Sequence, residues 1–368
     1  MKFCARNGIF SIISVSSIFS SVLILILNSV NSNATAMSTT SNILSRSIAK
    51  VVAPTTINPA ITRLIGTVDI DGAGTQHSLP EVDPFILLDA GTITKNQMPP
   101  FGAHPHYGHS VVTILLQGKM EAWDSFRDVA SKSDLPVLQA PSSYWVDAGS
   151  GVFHDERSVI ENEDDQSQHV RLFQLWIGVK DIDRSKPPRV QFSIPGKLPV
   201  VDLKGDNGET VGRATVHVGE GSGIETLHPV SVMHVKQSSG TTCNIPVKPT
   251  HGGFVVHVAG KATYGKDTTV EDLNSVLVID NSNDSSGPDQ LQVTSSSEGD
   301  DDIEYLVCSG ERIEEPWSKK LAANGAMIKR TPEEARELAK KVEQMSKAGK
   351  AEGGNFAPFG LPGVQLPK

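Results

Sequence analysis

From Ile65 onward the chain repeats short apolar runs bounded by turn residues: VDPFILLDAG, SVVTILLQGKMEAW, SYWVDAGSGVFH and VRLFQLWIGV, then SVMHVKQ, GGFVVHVAGKATYG, SVLVIDNS, LQVTSS and DIEYLVCSG. Runs of this length and spacing are the pattern of strands in a sandwich or small barrel. The 32 Gly and 22 Pro supply the turns that such a chain needs. The fold class expected is therefore all-β, in two sets of strands. Between them lies KDIDRSKPPRVQF, where Pro187 and Pro188 lack the backbone donors that continue a ladder. This sets a first unit at 63–182 and a second at 189–312. VVTILLQGKMEAWD and GFVVHVAGKATYG share one layout, an apolar strand, a Gly turn and a second strand, which points to an internal duplication.

Helical period appears only in the last segment, 313–368. Within it, TPEEARELAKKVEQMSKAGK has Thr331 as N-cap, Pro332 in the first turn, and Glu333 and Glu334 at the positive end of the dipole. Ala335, Leu338, Ala339, Val342 and Met345 form one apolar face for packing on a sheet. The Gly/Pro-rich tail after it is expected to be disordered, and SNDSSGPDQ and SSSEGDDD read as solvated loops.

The first residues read as an address. Lys2 and Arg6 precede an apolar run from Ile9 to Leu27, and Ala34-Thr35-Ala36 is a small-x-small cleavage pattern, so residues 1–36 are expected to be a signal peptide for the secretory pathway. An uncleaved membrane anchor is the alternative for the same run. No Asp or Glu precedes Asp69. Residues 37–62, which begin STTSNILSRSIAK, are expected to be a transit-like or disordered linker that leads onward to an organelle such as a plastid. Asn33 and Asn283 open sequons that matter only along that route. A net charge of −9 without a Lys/Arg cluster argues against direct binding of nucleic acid. Cys243 and Cys308 lie in apolar strands, where buried thiols are the ordinary outcome and a disulfide the alternative in an oxidising compartment.

The stretch FGAHPHYGHSVVTILL holds three histidines in six residues. Residues i and i+2 of a strand share a face, so His104 and His106 present two imidazoles side by side, and Pro105 between them suits a strand entrance or edge. GSGVFHDE repeats this geometry with His154 and Glu156. Two such pairs on neighbouring strands supply three nitrogens and one carboxylate oxygen. Mixed N/O donors with open positions suit a redox-active divalent ion; iron comes first, manganese, nickel and copper are compatible, and zinc binds such a set too. His109 falls on the opposite face unless Gly108 bulges the strand, which places it beside the site or at the surface. His217, His228, His234, His251 and His257 show no HxH or HxE pairing and read as structural.

HPHYGHSVVTILLQGKMEAWDS followed by YWVDAGSGVFHDE resembles the N-terminal signature of the pirin family of the cupin superfamily. LFQLWI before a proline-bearing connector, and GERIEEPW before a helix, resemble that family's later landmarks. The resemblance implies two tandem cupin-type β-barrels (a bicupin), with a C-terminal helix and here an N-terminal targeting segment. It also implies one metal, normally Fe(II)/Fe(III), held in the first barrel by His104, His106, His154 and Glu156. Two functions follow from it. One is a quercetin-type dioxygenase acting on a small aromatic substrate with O2, in which Glu156 also serves as the catalytic base. The other is a non-catalytic, redox-sensitive module that binds a protein partner. Tyr107-Gly108-His109-Ser110 and the segment before Tyr144 depart from the family pattern near the expected barrel mouth.

Overall fold

The computed structural model describes residues 45–69, 76–78, 82–95, 102–125, 136–280, 287–298 and 301–351. The signal and anchor readings, the transit segment up to residue 44, both sequons, parts of both polar loops and the tail after residue 351 lie outside the described residues. Among the described residues no helix is long and apolar enough to cross a membrane.

The expected pair of tandem barrels is present. The first consists of a seven-stranded sheet facing a four-stranded one. The large sheet runs, in spatial order, Arg189–Ser193, Ser142–Asp147, His109–Gln117, Val170–Gly178, Phe85–Ile93, Ile61–Ile65 and Thr55–Asn58. The small sheet runs Val137–Gln139, Lys119–Asp124, Val152–Ser158 and His104–His106. The second barrel repeats this plan: its large sheet runs Ile48–Val52, Val276–Ile279, His251–Ala259, Ile303–Glu311, Val230–Gln237, Thr210–Val218 and Val200–Lys204. Its small sheet runs Thr242–Pro246, Gln290–Ser295, Ala262–Tyr264 and Thr268–Val270. The two segments read as a duplication from sequence occupy equivalent hairpins.

Alternation along the large-sheet strands divides the core. In the first barrel Val112, Ile114, Phe173 and Leu175 face outward and pack with Val232, Phe254, Leu306 and Cys308 of the second, joining the two large sheets back to back. Leu87, Val111, Tyr144 and Trp176 face inward in the first barrel, and Val255, Leu277, Tyr305 and Val307 in the second. Each large aliphatic side chain so buried stabilises the fold by about 1.5–3 kcal/mol. Cys243 and Cys308 are both buried free thiols, one inside the second barrel and the other between the barrels.

The linker expected at 37–62 is corrected over its described part. Ile48–Val52 pairs antiparallel with Val276–Ile279 and completes the large sheet of the second barrel, although it precedes the first barrel in sequence. Arg46 anchors it, donating from its NH1 nitrogen to the Lys248 carbonyl at 2.7 Å and from its NH2 nitrogen to the Asp280 carbonyl. Thr55–Asn58 then forms a hairpin with Ile61–Ile65 at the edge of the first barrel. These strands are short and half polar, and their partners lie far along the chain, so composition hides them.

The C-terminal helix spans Pro332–Ala351, with the Thr331 hydroxyl accepting from the Glu334 amide at 3.3 Å and the Glu334 carboxylate accepting from the Thr331 amide at 3.1 Å. Ala335, Ala339 and Val342 are buried as the apolar face requires. The sheet beneath is the hairpin Ser318–Ala322 and Gly325–Lys329.

Candidate metal centre

His104–His106 pairs antiparallel with Val152–Ser158, in a register that sets His154 opposite His104 and Val152 opposite His106. The three imidazoles therefore converge on the interior of the first barrel, with ligand atoms all within 4.8 Å of one another. His106 and His154 are fully buried. Glu156 follows His154 by two residues on the same face and is buried as well.

Hydrogen bonding shows what the cluster lacks. His104 Nδ1 lies 2.8 Å from the Gly102 carbonyl, to which it can only donate, so Nε2 carries the ring's lone pair. That atom sits 3.1 Å from His154 Nε2. Both nitrogens of His106, Nδ1 of His154 and Oε1 of Glu156 are buried without a hydrogen-bond partner. Buried polar atoms nearly always find partners, and one left unpaired costs about 1–3 kcal/mol. A neutral imidazole carries one lone pair, and a cation that takes it on each ring removes that part of the deficit, so the residues present fit a metal ion. Burial pushes all three imidazoles below their ordinary pKa, and the neighbouring rings reinforce this for His106 and His154. The neutral ring is the form that ligates.

Glu156 is held at one end: its Oε2 accepts from Gln174 Nε2 at 2.8 Å. Burial raises its carboxyl to about 7 against the opposing influence of Thr113 and Gln174. Neither of those two residues was singled out from sequence. The available signal was a lone polar residue at an inward position of an apolar run, Thr113 in VVTILL and Gln174 in LFQLWI.

His109 and Tyr107 separate clearly. Gly108, at φ +75°, turns the chain out of the HPH strand and donates to the Gly149 carbonyl at 3.0 Å. His109 then opens a new strand and is buried beside the triad, its ring 5.0 Å from that of His106 and 5.3 Å from that of Trp176. Tyr107 instead turns to the C-terminal hairpin. Its backbone bonds the Ala326 carbonyl and the Ile328 amide at 3.0 and 2.9 Å, and its hydroxyl accepts from Lys329 at 2.9 Å.

A cavity of about 380 Å³ opens onto His104 and Glu156. Leu87, Leu172 and Trp176 give it apolar walls, and the Arg63–Asp89 ion pair lies in the wall beyond Gln174. The hairpin turn Leu321–Asn324 and Lys319 form its outer side, a contribution from 200 residues downstream that no local pattern announced.

Register identifies the counterparts in the second barrel. Thr242–Pro246 pairs with Gln290–Ser295 as Ile245↔Leu291, and the Val247 amide donates to the Asp289 carbonyl just beyond, matching His104↔His154 and His106↔Val152. The hairpin turns at Gly118 and Gly260 anchor the match, with Ala262↔Ser295 answering to Met120↔Ser158 and Tyr264↔Val293 to Ala122↔Glu156. Ile245, Val247 and Leu291 therefore stand where the first barrel has His104, His106 and His154, and all are buried in the apolar core. Among the described residues the only metal-type cluster is the histidine triad. The histidines of the second half have structural partners where these are defined, as in His257 with the Tyr264 hydroxyl and the Gly260 carbonyl, both at 2.8 Å.

A family model described as Pirin matches residues 67–177. A Pseudomonas aeruginosa protein provisionally named quercetin 2,3-dioxygenase is 29% identical over 242 residues, covering 64% of this chain and 77% of that one. A pirin-like protein of Solanum lycopersicum is 26% identical over 257 residues, covering 67% and 78%. The crystal structure of quercetin 2,3-dioxygenase from Acinetobacter baumannii superposes with a TM-score of 0.61 at 20% identity, over 83% of this chain and 98% of that one, which establishes the shared fold.

Proposed function

Since the chain belongs to the pirin family, we propose that it is an iron-dependent dioxygenase-type oxidoreductase acting on a flavonol or related polyphenol. The observation that carries this reading is a cavity, large enough for a small aromatic molecule, that opens onto His104 of the histidine triad and onto Glu156. A metal that only braces a fold is closed off by its ligands, whereas a catalytic one keeps a position facing substrate. The name of the Pseudomonas aeruginosa relative supports the substrate class.

In this reading His104, His106 and His154 hold the ion and Glu156 is the fourth ligand. When bound, a redox-active ion supplies Lewis-acid polarisation of a substrate oxygen and a place for O2. The chain's own groups do the rest. Gln174 fixes Oε2 of Glu156, leaving Oε1 as the atom that would face the ion or, released from it, take the proton of a substrate hydroxyl. Leu87, Leu172 and Trp176 hold the rings and exclude water. The N-terminal residues 1–36 are proposed, from their sequence pattern, to carry the protein into the secretory pathway.

Iron-loaded protein is expected to consume O2 with quercetin, and His104→Ala to lose both iron and turnover. Absence of O2 consumption by iron-replete wild type with any flavonol overturns the enzymatic reading and leaves the redox-sensitive binding module.

A further inference from the structure

A single row of residues crosses the inner face of the first barrel's large sheet from strand to strand. Arg63 is registered opposite Asp89, Asp89 opposite Gln174, Gln174 opposite Thr113, and Thr113 opposite Tyr144. The same row in the second barrel reads Val216, Met233, Val307, Val255 and Leu277. One barrel has polar side chains at every position where its sibling has none. Gln174 and Thr113 are accounted for by Glu156, but Arg63 and Asp89 do not touch the metal ligands.

These two form a largely buried ion pair, with Arg63 Nε 2.5 Å from Asp89 Oδ1 and a second contact to Oδ2 at 3.1 Å. A buried pair of this kind is weak evidence for stability, since apolar residues of similar volume commonly do as well. The sibling barrel makes that point within this molecule, because Val216 and Met233 serve the same fold at the same register. The cavity lies in the first barrel, and both Arg63 and Asp89 line it. Two strand spacings separate Arg63 from Gln174, roughly 10 Å, a span that suits a planar molecule of two or three rings. A guanidinium donates and a carboxylate accepts, so together they complement a group that does both, such as a phenolic hydroxyl or an adjacent pair of them.

Resting on the dioxygenase reading above, we propose that the Arg63–Asp89 pair is a specificity-determining site that reads hydroxyl groups at the end of a polyphenol remote from the metal. The pair then selects hydroxylated over bare terminal rings, while the histidines and Glu156 act on the other end. Burial raises the Asp89 carboxyl against the charge of Arg63, which leaves the carboxylate well disposed to accept a hydrogen bond.

The test uses full-length, metal-loaded protein under anaerobic conditions, titrated with quercetin and with galangin, which is the same flavonol without the two hydroxyls on its pendant ring. Wild type is expected to prefer quercetin by at least about tenfold, because a site built to bond hydroxyls penalises the analogue lacking them. The double variant Arg63→Val/Asp89→Met, which installs the sibling barrel's residues, is expected to bind both flavonols alike at unchanged metal content and circular dichroism. Arg63→Lys keeps the charge but not the planar fork and is expected to reduce the preference, which provides a second readout if the double variant does not fold. Equal binding of the two flavonols by wild type, or a preference that survives both substitutions, overturns the proposal alone. Failure of wild type to bind either flavonol overturns it together with the dioxygenase reading.

Discussion

Replacing His106 with an apolar residue of similar size, His106→Ile, should move stability in opposite directions with and without metal. His106 is fully buried and neither ring nitrogen has a hydrogen-bond partner. In the metal-free protein this is an uncompensated burial of a polar group, worth about 1–3 kcal/mol, and an apolar residue of similar size removes it. The sibling barrel has a buried aliphatic residue, Val247, at the corresponding place in the fold. For a chain with barrels of this size, such a change corresponds to a rise in Tm on the order of 2–10 °C. With metal the order reverses. Free ion at 100 times its Kd stabilises the wild type by about 2.7 kcal/mol, a gain that a site missing one of its nitrogens largely forgoes. Thermal denaturation of chelator-treated and iron-replete samples of both proteins, run anaerobically, measures the crossing. If His106→Ile is the less stable protein in the metal-free state as well, the ring is there for packing and the orphaned nitrogens carry no meaning for metal binding.

Gln174→Leu removes the donor to Glu156 Oε2 and is expected to weaken metal binding by about 10–100-fold in competition with a chelator, with the fold unchanged in circular dichroism. Gly108→Ala places a side chain at φ +75° with its Cβ 2.4 Å from the Ile328 carbonyl; the left-handed backbone alone costs about 1–2 kcal/mol, and the collision should loosen the C-terminal hairpin, read as faster proteolysis within residues 318–329. Glu304 joins the barrels through His234 at 2.6 Å and Arg171 at 2.5 Å. Burial alone would raise its carboxyl, but these partners hold it down to about 2 from 4.5. Because the folded value is the lower one, this contribution is complete above about 4.5 and disappears as the pH falls toward 2; Glu304→Gln should flatten acid unfolding across that window by on the order of 1–3 kcal/mol.

The sequence determined every property that depends on near neighbours. Alternation with period two gave the strands and the capping residues around Thr331 gave the helix, but Arg189–Ser193, just past Pro187-Pro188, closes the first barrel's large sheet and not the second's. The HxH spacing aimed His104 and His106 at one face before any partner was known, because side chains two apart in a strand always share one. The pairing of that face with His154 was an inference from a second HxE, and register alone made it a contact. Only the tertiary structure could decide what strands do to residues far apart in the chain. It sent Ile48–Val52 to the second barrel, where a free edge needed closing, and brought the turn at 321–324 over the cavity. It resolved His109 and Tyr107, since a glycine turn at Gly108 breaks the alternation from which their faces would be counted. It also aligned Arg63, Asp89, Gln174 and Thr113 in one row, for each lies on a different strand and they become a site only when hydrogen-bonded neighbours place them side by side.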